Sequence, residues 1–388
     1  MRVILFVHQS SEMYGSDKVL LFLVQGLQAT GEFKPLVVLP GTGPLYSALR
    51  ASGVEVHIAE VAKISRSIMR LTGLFRLFIC TLKGVRELDR FAGDRQVALV
   101  HSNTLAVLSG AVWALLRRKK HLWHVHEIIL SPKLVSKAFP FLVRLFSDRV
   151  ISNSTLTERW LLAEQPSLAL RSVVVFNGLP AVVRPTNCAI HDFRTSVNAS
   201  ANEVVVTLAG RINRMKGQVL LIEAVVELKR RGRVNGLCFV IIGGAAPGLE
   251  DLPAQLHEKV RSMNLEGFVN ILPFVDDIWP MWFATDIAVV PSTEPESFGM
   301  VAVEAMAAGV PVIAAGHGGM LDIVAHNQTG LLFTPCDVNA LADAIERLAS
   351  DEMLRRSFGS AGKKRQRELF SAKEQVDRTA TIYKEMVI

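Results

Sequence analysis

Cysteine is scarce in this chain of 388 residues: there are four, and none is placed near another at a spacing typical of metal ligands. This usage indicates a reducing compartment and argues against structural zinc. The start of the chain lacks the long apolar run and small-residue cleavage site of a signal peptide, so residues 1–7 predict a first strand. No Gly-x-Gly-x-x-Gly motif follows that strand, which counts against an NAD-dependent oxidoreductase.

Charged side chains are missing from one long stretch, residues 97–116, which contains no Lys, Arg, Asp or Glu. Its length would suit a membrane span, but polar side chains from His101 to Thr104, followed by Ser109, interrupt it. A strand that ends at His101 and a buried helix that begins near Thr104 explain the stretch better. We therefore predict no membrane-spanning segment here.

The formal net charge of +7 is unevenly distributed. Two segments, residues 63–90 and 133–149, interleave basic and apolar side chains as helices on an anionic membrane surface do. Their basic members include Arg66, Arg70, Arg76, Lys83, Arg86, Lys133, Lys137, Arg144 and Arg149. An ordinary helix with a solvated basic face is the equal alternative. Nucleic acid is not predicted as a partner, since neither a recognition motif nor an aromatic stacking platform is present.

Short apolar runs alternate with helical patterns along the whole chain, which predicts parallel strands joined by crossover helices. Asn, Pro, Ser and Thr crowd between Pro180 and Asn202, where the alternation pauses before it restarts. We predict an α/β protein with two tandem Rossmann-like, doubly wound domains that face a central cleft. Residues 1–182 form the first domain, residues 183–202 the linker and residues 203–388 the second domain. The last helix, from about residue 370, is expected to pack back on the first domain.

Two cations follow the predicted strand that ends before Gly210. Arg211 offers a bidentate fork for phosphate, and Lys216, five residues later, offers a point charge. A diphosphate leaving group needs such neutralisation as its charge grows. A solvated basic turn is the alternative, but the position after a strand favours a phosphate site.

Two carboxylates, Glu296 and Glu304, lie eight positions apart across the start of a predicted helix. Gly299 lies between them and lets the backbone approach a ligand, while the helix start presents free N–H groups. Glu296 lies before the helix and Glu304 inside it, so each can reach a different end of a phosphate-bearing ligand. The arrangement suits a nucleotide-sugar, with hydroxyl-rich rings on either side of the phosphates.

The first domain contains weaker candidates. Gly15 and Ser16 follow the first strand and open a helix, where backbone N–H groups can approach a phosphate. His126 follows a strand, and together with His124 it raises the alternative of a metal site, although no cluster of carboxylates or cysteines accompanies them. In the second domain, Phe274 flanks a nucleotide base or belongs to the core, and the sequence leaves both possibilities open.

Together these segments resemble retaining glycosyltransferases of the GT-B fold, in particular glycosyltransferase family 4, also called glycosyl transferases group 1. The matching pieces run in the family's order over almost the whole chain: residues 14–18, 124–127, 176–178, 209–217, 273–274, Asp286, 291–292, 296–311, 318–319 and 329–332. One departure is Ser16, where many relatives have a second glycine. Its Cβ narrows the approach to that loop and suggests a particular acceptor.

The resemblance implies a role for each candidate. Arg211 and Lys216 would hold the donor diphosphate, Glu296 the hydroxyls of the donor sugar and Glu304 those of the ribose. Gly210 and Phe274 would line the donor site, and His126 would contact the transferred sugar. The backbone N–H groups of Phe298, Gly299, Met300 and Val301 would meet the phosphate or sugar, and Gly15 and Ser16 would lie near the phosphate and acceptor. Neither a metal nor another cofactor is expected, because the cations replace the metal.

The leading hypothesis is a cytoplasmic retaining glycosyltransferase, peripheral on the inner face of the cell membrane. It would transfer a sugar from a nucleoside-diphosphate donor to a glycan or lipid-linked acceptor in polysaccharide or lipopolysaccharide biosynthesis. A sugar-nucleotide epimerase of the same fold is the nearest alternative. A non-catalytic glycan- or lipid-binding protein is an alternative of another class.

Overall fold

The computed structural model describes residues 1–61, 71–105, 107–129, 132–246 and 248–387, without the side chains of residues 71–74. Their contacts divide the chain into two units. The first unit comprises Met1–Pro180 and Phe370–Ile388, and the second comprises Ala181–Leu369. Each unit is built around one parallel sheet.

The first unit contains a seven-stranded parallel sheet in the order β3-β2-β1-β4-β5-β6-β7. Its strands are β1 Arg2–His8, β2 Phe33–Leu39, β3 Glu55–Ile58, β4 Val97–Asn103, β5 Lys120–Val125, β6 Arg149–Ser152 and β7 Ser172–Val174. Its helices are α1 Gly15–Ala29, α2 Pro44–Ala51, α3 Leu71–Ala92, α4 Leu108–Leu116, α5 Lys133–Phe146 and α6 Thr155–Glu164, joined by α15 Ala372–Met386. Successive residues of β1 from Ile4 to Val7 are fully buried, as expected of a strand covered on both faces.

The second unit repeats the plan with six parallel strands in the order β10-β9-β8-β11-β12-β13. These strands are β8 Val204–Ala209, β9 Leu237–Ile242, β10 Val269–Leu272, β11 Ile287–Val290, β12 Val312–Ala315 and β13 Gly330–Phe333. The helices are α7 Asn187–Ser196, α8 Gln218–Arg230, α9 Leu252–Ser262, α10 Trp279–Ala284, α11 Met300–Ala308, α12 Met320–Ile323, α13 Val338–Ser350 and α14 Glu352–Leu369. In both units the strand order reverses beside the first strand, which is the Rossmann arrangement. The predicted pair of doubly wound α/β domains is thus confirmed.

The stretch without charged side chains, residues 97–116, consists of β4 and α4. The strand runs two residues beyond the predicted end, to Asn103, and the helix begins at Leu108 rather than near Thr104. Among the described helices, none combines the length and the apolar character needed to cross a membrane. Strand β3 was not predicted, since its four residues carry no long apolar run.

The segment predicted as a linker, residues 183–202, contains helix α7 and belongs to the second unit. Arg194 anchors it, because its guanidinium donates to the carbonyl oxygens of Ala284 at 3.1 Å and Glu203 at 2.6 Å. The same guanidinium lies 3.3 Å from the carboxylate of Asp286. Ala284 and Asp286 are distant from Arg194 in sequence, so the local crowding of turn-forming residues did not reveal the helix.

The last helix, α15, lies in the first unit and packs against α1. Tyr383 is fully buried there and its hydroxyl is hydrogen-bonded to Nδ1 of His101 on β4. A Cβ placed on Gly26 of α1 would lie 2.4 Å from Val376 of α15, so the two helices are in close contact. The hydrophobic core of the first unit therefore includes a segment that follows the whole second unit in sequence.

Four histidines of the first unit are buried: His101 on β4, His121 and His124 on β5, and His126 just after β5. Burial lowers the pKa of His121 to about 4 and lowers the pKa of the other three well below the ordinary value of 6.5. Burial also raises the pKa of the neighbouring Glu127. These imidazoles are consequently neutral in the folded protein at neutral pH.

We expect the free energy of unfolding to fall as the pH is lowered from 6.5 towards 4. The unfolded chain gains protons on these histidines while the folded chain does not, at about 1.4 kcal/mol per pH unit for each fully titrating histidine. His121 alone contributes about 3 kcal/mol across this window, because its pKa falls from 6.5 to about 4. The raised pKa of Glu127 acts in the opposite direction and offsets part of one histidine's contribution.

Urea unfolding at a series of pH values measures this slope. The substitution His124→Phe should make it shallower, whereas His191→Gln, at an exposed position on α7, should leave it unchanged. A free energy of unfolding that does not depend on pH below 6.5 would contradict the assignment of neutral buried histidines.

Candidate functional site

The candidate residues of the second unit follow β8 and β11, the two adjacent strands at which the strand order reverses. Ligands of open α/β sheets bind beside such a reversal, outside the carboxyl ends of the strands. The loop after β8 carries Gly210, Arg211 and Lys216, and the loop after β11 carries Glu296 and leads to Gly299 at the start of α11. Pairing of β8 with β11 therefore brings the two predicted motifs to one place.

The loop after β8 is fixed through its backbone. The side-chain oxygen of Asn213 accepts the N–H groups of Met215 and Lys216, both at 3.0 Å. The buried Gln218 donates to the carbonyl oxygen of Arg211 at 3.1 Å. The loop after β11 joins it where Thr293 N–H donates to the carbonyl oxygen of Met215 at 2.8 Å. Arg211 itself is exposed, and its side chain extends from this fixed backbone.

Lys216 and Glu296 form an ion pair in which Nζ lies 2.7 Å from Oε2. Both side chains are largely buried, with exposed fractions of 25% and 15%. The second carboxylate oxygen of Glu296 accepts the hydroxyl of the buried Ser292. His317 Nε2 donates to the carbonyl oxygen of Ser292 at 2.8 Å. Eighty residues separate Lys216 from Glu296 in sequence, and the fold places them in direct contact.

The third loop, after β12, holds the backbone of Glu296. Gly319 N–H donates to the carbonyl oxygen of Glu296 at 2.8 Å. A Cβ on Gly318 would lie 2.6 Å from that same oxygen, so only glycine permits this approach. Glu296 is therefore fixed through both its backbone and its side chain.

Helix α11 begins beside this carboxylate. Gly299 precedes it with a φ of 128°, and a Cβ there would lie 1.8 Å from Cε of Met320. In the first turn, at Met300 and Val301, the backbone N–H groups find no hydrogen-bond acceptor within the helix. This makes the turn suited to an anion. Phe298, just before Gly299, is buried. Glu304 lies in the second turn and is nearly buried.

Phe274 follows β10 and is 62% exposed. It lies beside Gly244 after β9, where a Cβ would approach the Phe274 Cβ to 3.7 Å. The sequence left open whether this side chain belongs to the core, and its exposure excludes that alternative. The ring is exposed beyond the carboxyl end of β10.

The remaining predicted residues lie in the first unit. Gly15 and Ser16 form the first turn of α1, and Gly15 is exposed. His126 follows β5 and is 5% exposed, with Nε2 3.0 Å from Oδ1 of Asn103. Its backbone oxygen accepts Nδ2–H of Asn153 at 3.3 Å. Within the described ranges, no group of three or more His, Cys, Asp or Glu side chains is arranged to hold a metal ion.

Several residues that shape these sites were not predicted, namely Ser292 and His317 in the second unit and His8, Asp17 and Asn103 in the first as hydrogen-bonding partners. The carboxylate of Asp17, in the first turn of α1, lies 2.7 Å from Nε2 of His8. A signal existed for Ser292, which stands four residues before Glu296. No signal distinguished Asn103 from its polar neighbours between His101 and Thr104.

Residues 190–365 match the family model described as "Glycosyl transferases group 1". Over 159 residues the chain is 40% identical to a D-inositol 3-phosphate glycosyltransferase of Corynebacterium aurimucosum, a match that covers 40% of this chain and 37% of that protein. It is 30% identical over 214 residues to the uncharacterized glycosyltransferase MJ1607 of Methanocaldococcus jannaschii, covering 54% of this chain and 53% of that protein. The chain thus spans about half or less of these curated relatives.

Among solved structures, the chain resembles Anabaena Alr3699/HepE in complex with UDP. The TM-score is 0.84 and the identity 26%, over 99% of this chain and 100% of that one. The same Anabaena protein in complex with UDP-glucose gives a TM-score of 0.83 at 25% identity. A glycosyltransferase from Rickettsia africae shares the fold with a TM-score of 0.85 at 20% identity, over 100% of this chain and 98% of that one. The predicted GT-B fold is confirmed by these matches.

We expect Gly217→Ala to destabilise the second unit more than Gly232→Ala. Both glycines have left-handed backbone angles, with φ of 76° and 71°, so each substitution costs about 1 to 2 kcal/mol of backbone strain. At Gly217 the added Cβ would also lie 2.0 Å from the carbonyl oxygen of Pro291, whereas nothing lies within 4 Å at Gly232. Urea unfolding should give an additional loss of about 2 kcal/mol or more for Gly217→Ala. Equal losses would contradict the close contact between the two loops.

Proposed function

Since residues 190–365 belong to the glycosyl transferases group 1 family, we propose that this protein is a retaining, metal-independent glycosyltransferase. It transfers a sugar from a nucleoside-diphosphate donor to a glycan or lipid-linked acceptor. The observation that carries the proposal is the Lys216–Glu296 ion pair beside the start of α11, at the strand-order reversal of the second sheet. UDP-glucose is the first donor to test, because the Anabaena relative is described in complex with it.

Charge distribution supports the proposed division of roles. Lys216 and the exposed Arg211 neutralise the diphosphate as it leaves, together with the N–H groups at the start of α11. Glu296 accepts hydrogen bonds from hydroxyls of the sugar, and its pairing with Lys216 and Ser292 fixes its carboxylate before the donor arrives. Glu304 accepts hydrogen bonds from the ribose hydroxyls. The carboxylates thus bind hydroxyls, and the cations stabilise the developing negative charge.

The proposed reaction proceeds on one face of the sugar. The bond from the anomeric carbon to the phosphate oxygen breaks, and its electron pair leaves on the diphosphate. The acceptor oxygen forms the new bond on the same face and gives its proton to a phosphate oxygen. The products are a nucleoside diphosphate and a glycosylated acceptor with the anomeric configuration of the donor. With two fixed cations at the phosphates, the step needs no divalent metal.

We expect Lys216→Met and Glu296→Gln each to lower kcat/KM by about 30- to 1,000-fold, which corresponds to about 2–4 kcal/mol of transition-state stabilisation. The two losses should not add, since the residues form one pair. Lys259→Met is the matched control, because Lys259 forms a 2.7 Å ion pair with Glu223 between α9 and α8 and should leave kcat/KM unchanged.

The assay follows release of the nucleoside diphosphate with UDP-glucose and other donors, with EDTA present and absent, and NMR of the product assigns its anomeric configuration. Inverted product or a requirement for added metal would contradict the corresponding part of the proposal. Isomerised donor without transfer would favour the epimerase, and binding without any turnover would favour a non-catalytic protein. Unchanged rates in both site variants would overturn the site assignment.

We also propose that the first unit lies on an anionic membrane on the cytoplasmic side, which would fit assembly of a polysaccharide or lipopolysaccharide. Helix α3 exposes Phe75, Phe78 and Leu82 at helical spacing, while Val85 and Leu88 pack into the core. Arg76, Lys83 and Arg86 are exposed along the same helix. The predicted contributors Arg66 and Arg70 lie outside the described residues.

Helix α5 repeats this pattern. Leu134, Phe141 and Leu145 are exposed on one face, with Lys137 exposed between them. The guanidinium of Arg144 lies 5.1 Å from the centroid of the Phe141 ring. Apolar side chains flanked by cations suit the interface of a bilayer that contains anionic lipid.

We expect the protein to co-sediment with vesicles that contain phosphatidylglycerol and not with vesicles of phosphatidylcholine alone. The double substitution Phe78→Ser/Phe141→Ser should weaken this binding by about tenfold or more, because two aromatic rings no longer enter the interface. Leu170→Ser is the control, since Leu170 is 91% exposed but lies on neither helix. Binding that depends neither on lipid charge nor on the double substitution would contradict the proposed membrane surface.

A further inference from the structure

Four buried polar side chains form a continuous hydrogen-bonded chain through the first unit: Asp17, His8, Asn103 and His126. Their exposed fractions are 1%, 0%, 0% and 5%. They belong to α1, the end of β1, the end of β4 and the residue after β5. His8 and Asn103 are register partners in the β1–β4 ladder, so the strand-order reversal of the first sheet places them side by side. We refer to Asp17, His8 and Asn103 as the Asp17 relay.

The first link fixes the ring of His8. Its Nε2 lies 2.7 Å from Oδ1 of Asp17, and a carboxylate only accepts, so Nε2 carries the hydrogen. The other oxygen of Asp17 accepts the Tyr14 N–H at 2.9 Å and the Ser10 hydroxyl at 3.3 Å. With its carboxylate held from three sides, Asp17 leaves Nδ1 of a neutral His8 as an acceptor. This Nδ1 lies 3.1 Å from Nδ2 of Asn103, and its contact with the backbone oxygen of Asn103, to which it could only donate, is longer at 3.3 Å.

The second link determines which nitrogen of His126 carries the hydrogen. Nδ2–H of Asn103 donates to Nδ1 of His8 at 3.1 Å, which turns Oδ1 of Asn103 towards His126. That oxygen accepts Nε2–H of His126 at 3.0 Å. The Asn103 amide has a donor end and an acceptor end, so the tautomer of His8 determines the tautomer of His126. His126 is left with a lone pair on Nδ1.

This Nδ1 atom is buried and has no hydrogen-bond partner among the residues that the structure describes. A buried acceptor without a donor costs free energy that a bound ligand can recover. The neighbouring ring of His124, with its centroid 4.0 Å away, is also buried. Burial, the adjacent His124 and His8 lower the pKa of His126 well below its usual range, so the ring is neutral at neutral pH. A neutral imidazole without the relay would populate both tautomers.

We infer that Asp17, His8 and Asn103 are positioning residues, which hold His126 as the Nε2–H tautomer so that its Nδ1 accepts a hydrogen bond from a hydroxyl of the transferred sugar. The inference rests on the proposed function and on the contact between His126 and the transferred sugar that the family resemblance implies. The relay makes His126 selective for a hydrogen-bond donor. A donor substrate that lacks the matching hydroxyl therefore loses this interaction.

The decisive variant is Asp17→Asn, which changes an atom two residues removed from His126 along the relay. The new amide keeps its oxygen on the Tyr14 N–H and turns its NH₂ towards Nε2 of His8. His8 must then carry its hydrogen on Nδ1, the Asn103 amide reverses, and His126 becomes the Nδ1–H tautomer. Asp89→Asn is the matched control, because Asp89 accepts from Trp113 and Arg117 elsewhere in the unit.

Long-range ¹H–¹⁵N NMR of histidine-labelled full-length protein reads the tautomer directly, with His126→Gln used for assignment. We expect the wild type and Asp89→Asn to show Nε2 protonated and Nδ1 unprotonated, and Asp17→Asn to show the reverse. A wild-type ring protonated on Nδ1, or a tautomer that Asp17→Asn leaves unchanged, would overturn the inference. This measurement needs no substrate, so it is independent of whether the proposed function is correct.

A second measurement tests the purpose of the relay. With a panel of monodeoxy UDP-glucose donors, the wild type should lose about tenfold in kcat/KM for the one that lacks the matching hydroxyl. Asn103→Leu, which removes both links, should abolish that discrimination. Asn153→Ala should preserve it, because Asn153 contacts the backbone oxygen of His126 rather than its ring. Discrimination that survives in Asn103→Leu would contradict the role, and circular dichroism establishes that each variant is folded.

Discussion

In each unit, two adjacent parallel strands continue towards opposite edges of the sheet. The position of this pair determines where the unit carries its polar side chains. In the first unit these strands are β1 and β4, and in the second they are β8 and β11. The connections that follow these two strands diverge and leave a gap at the carboxyl ends of the pair. Side chains in this gap are not covered by a connecting segment. The Lys216–Glu296 ion pair and the Asp17 relay both lie at such a reversal, although no residue type is common to them.

The two reversals differ in their electrostatics. The second unit presents full charges that remain partly exposed, with Lys216 and Glu296 paired and Arg211 on the surface. The first unit presents a chain of side chains that are almost completely buried and that ends in a neutral imidazole. Full charges suit a phosphate whose charge grows during a reaction, whereas oriented neutral groups suit hydroxyls, whose donor and acceptor must be told apart.

The sequence predicted what local patterns can encode. Apolar runs between turn residues indicated the strands, and the spacing around Gly210 and Gly299 indicated the loops of the second unit. It did not predict α7, because Arg194 of that helix contacts Ala284 and Asp286, which are distant in the chain. It did not predict the roles of His8 and Asn103 either, because these depend on the register of β1 against β4. Phe274 needed the fold as well, since only its exposure separates a surface ring from a core one.

The return of α15 to the first unit has a consequence for biosynthesis. The ribosome must translate residues 181–369 after the first unit's main segment and before α15, which takes roughly 10 to 40 s at 5–20 residues per second. During that interval the site of Tyr383 is unfilled, and His101 lacks its hydroxyl partner. The second unit, whose segment is continuous in sequence, can therefore complete its core before the first does. A nascent chain of this protein therefore exposes an apolar surface on α1 until α15 emerges from the ribosome.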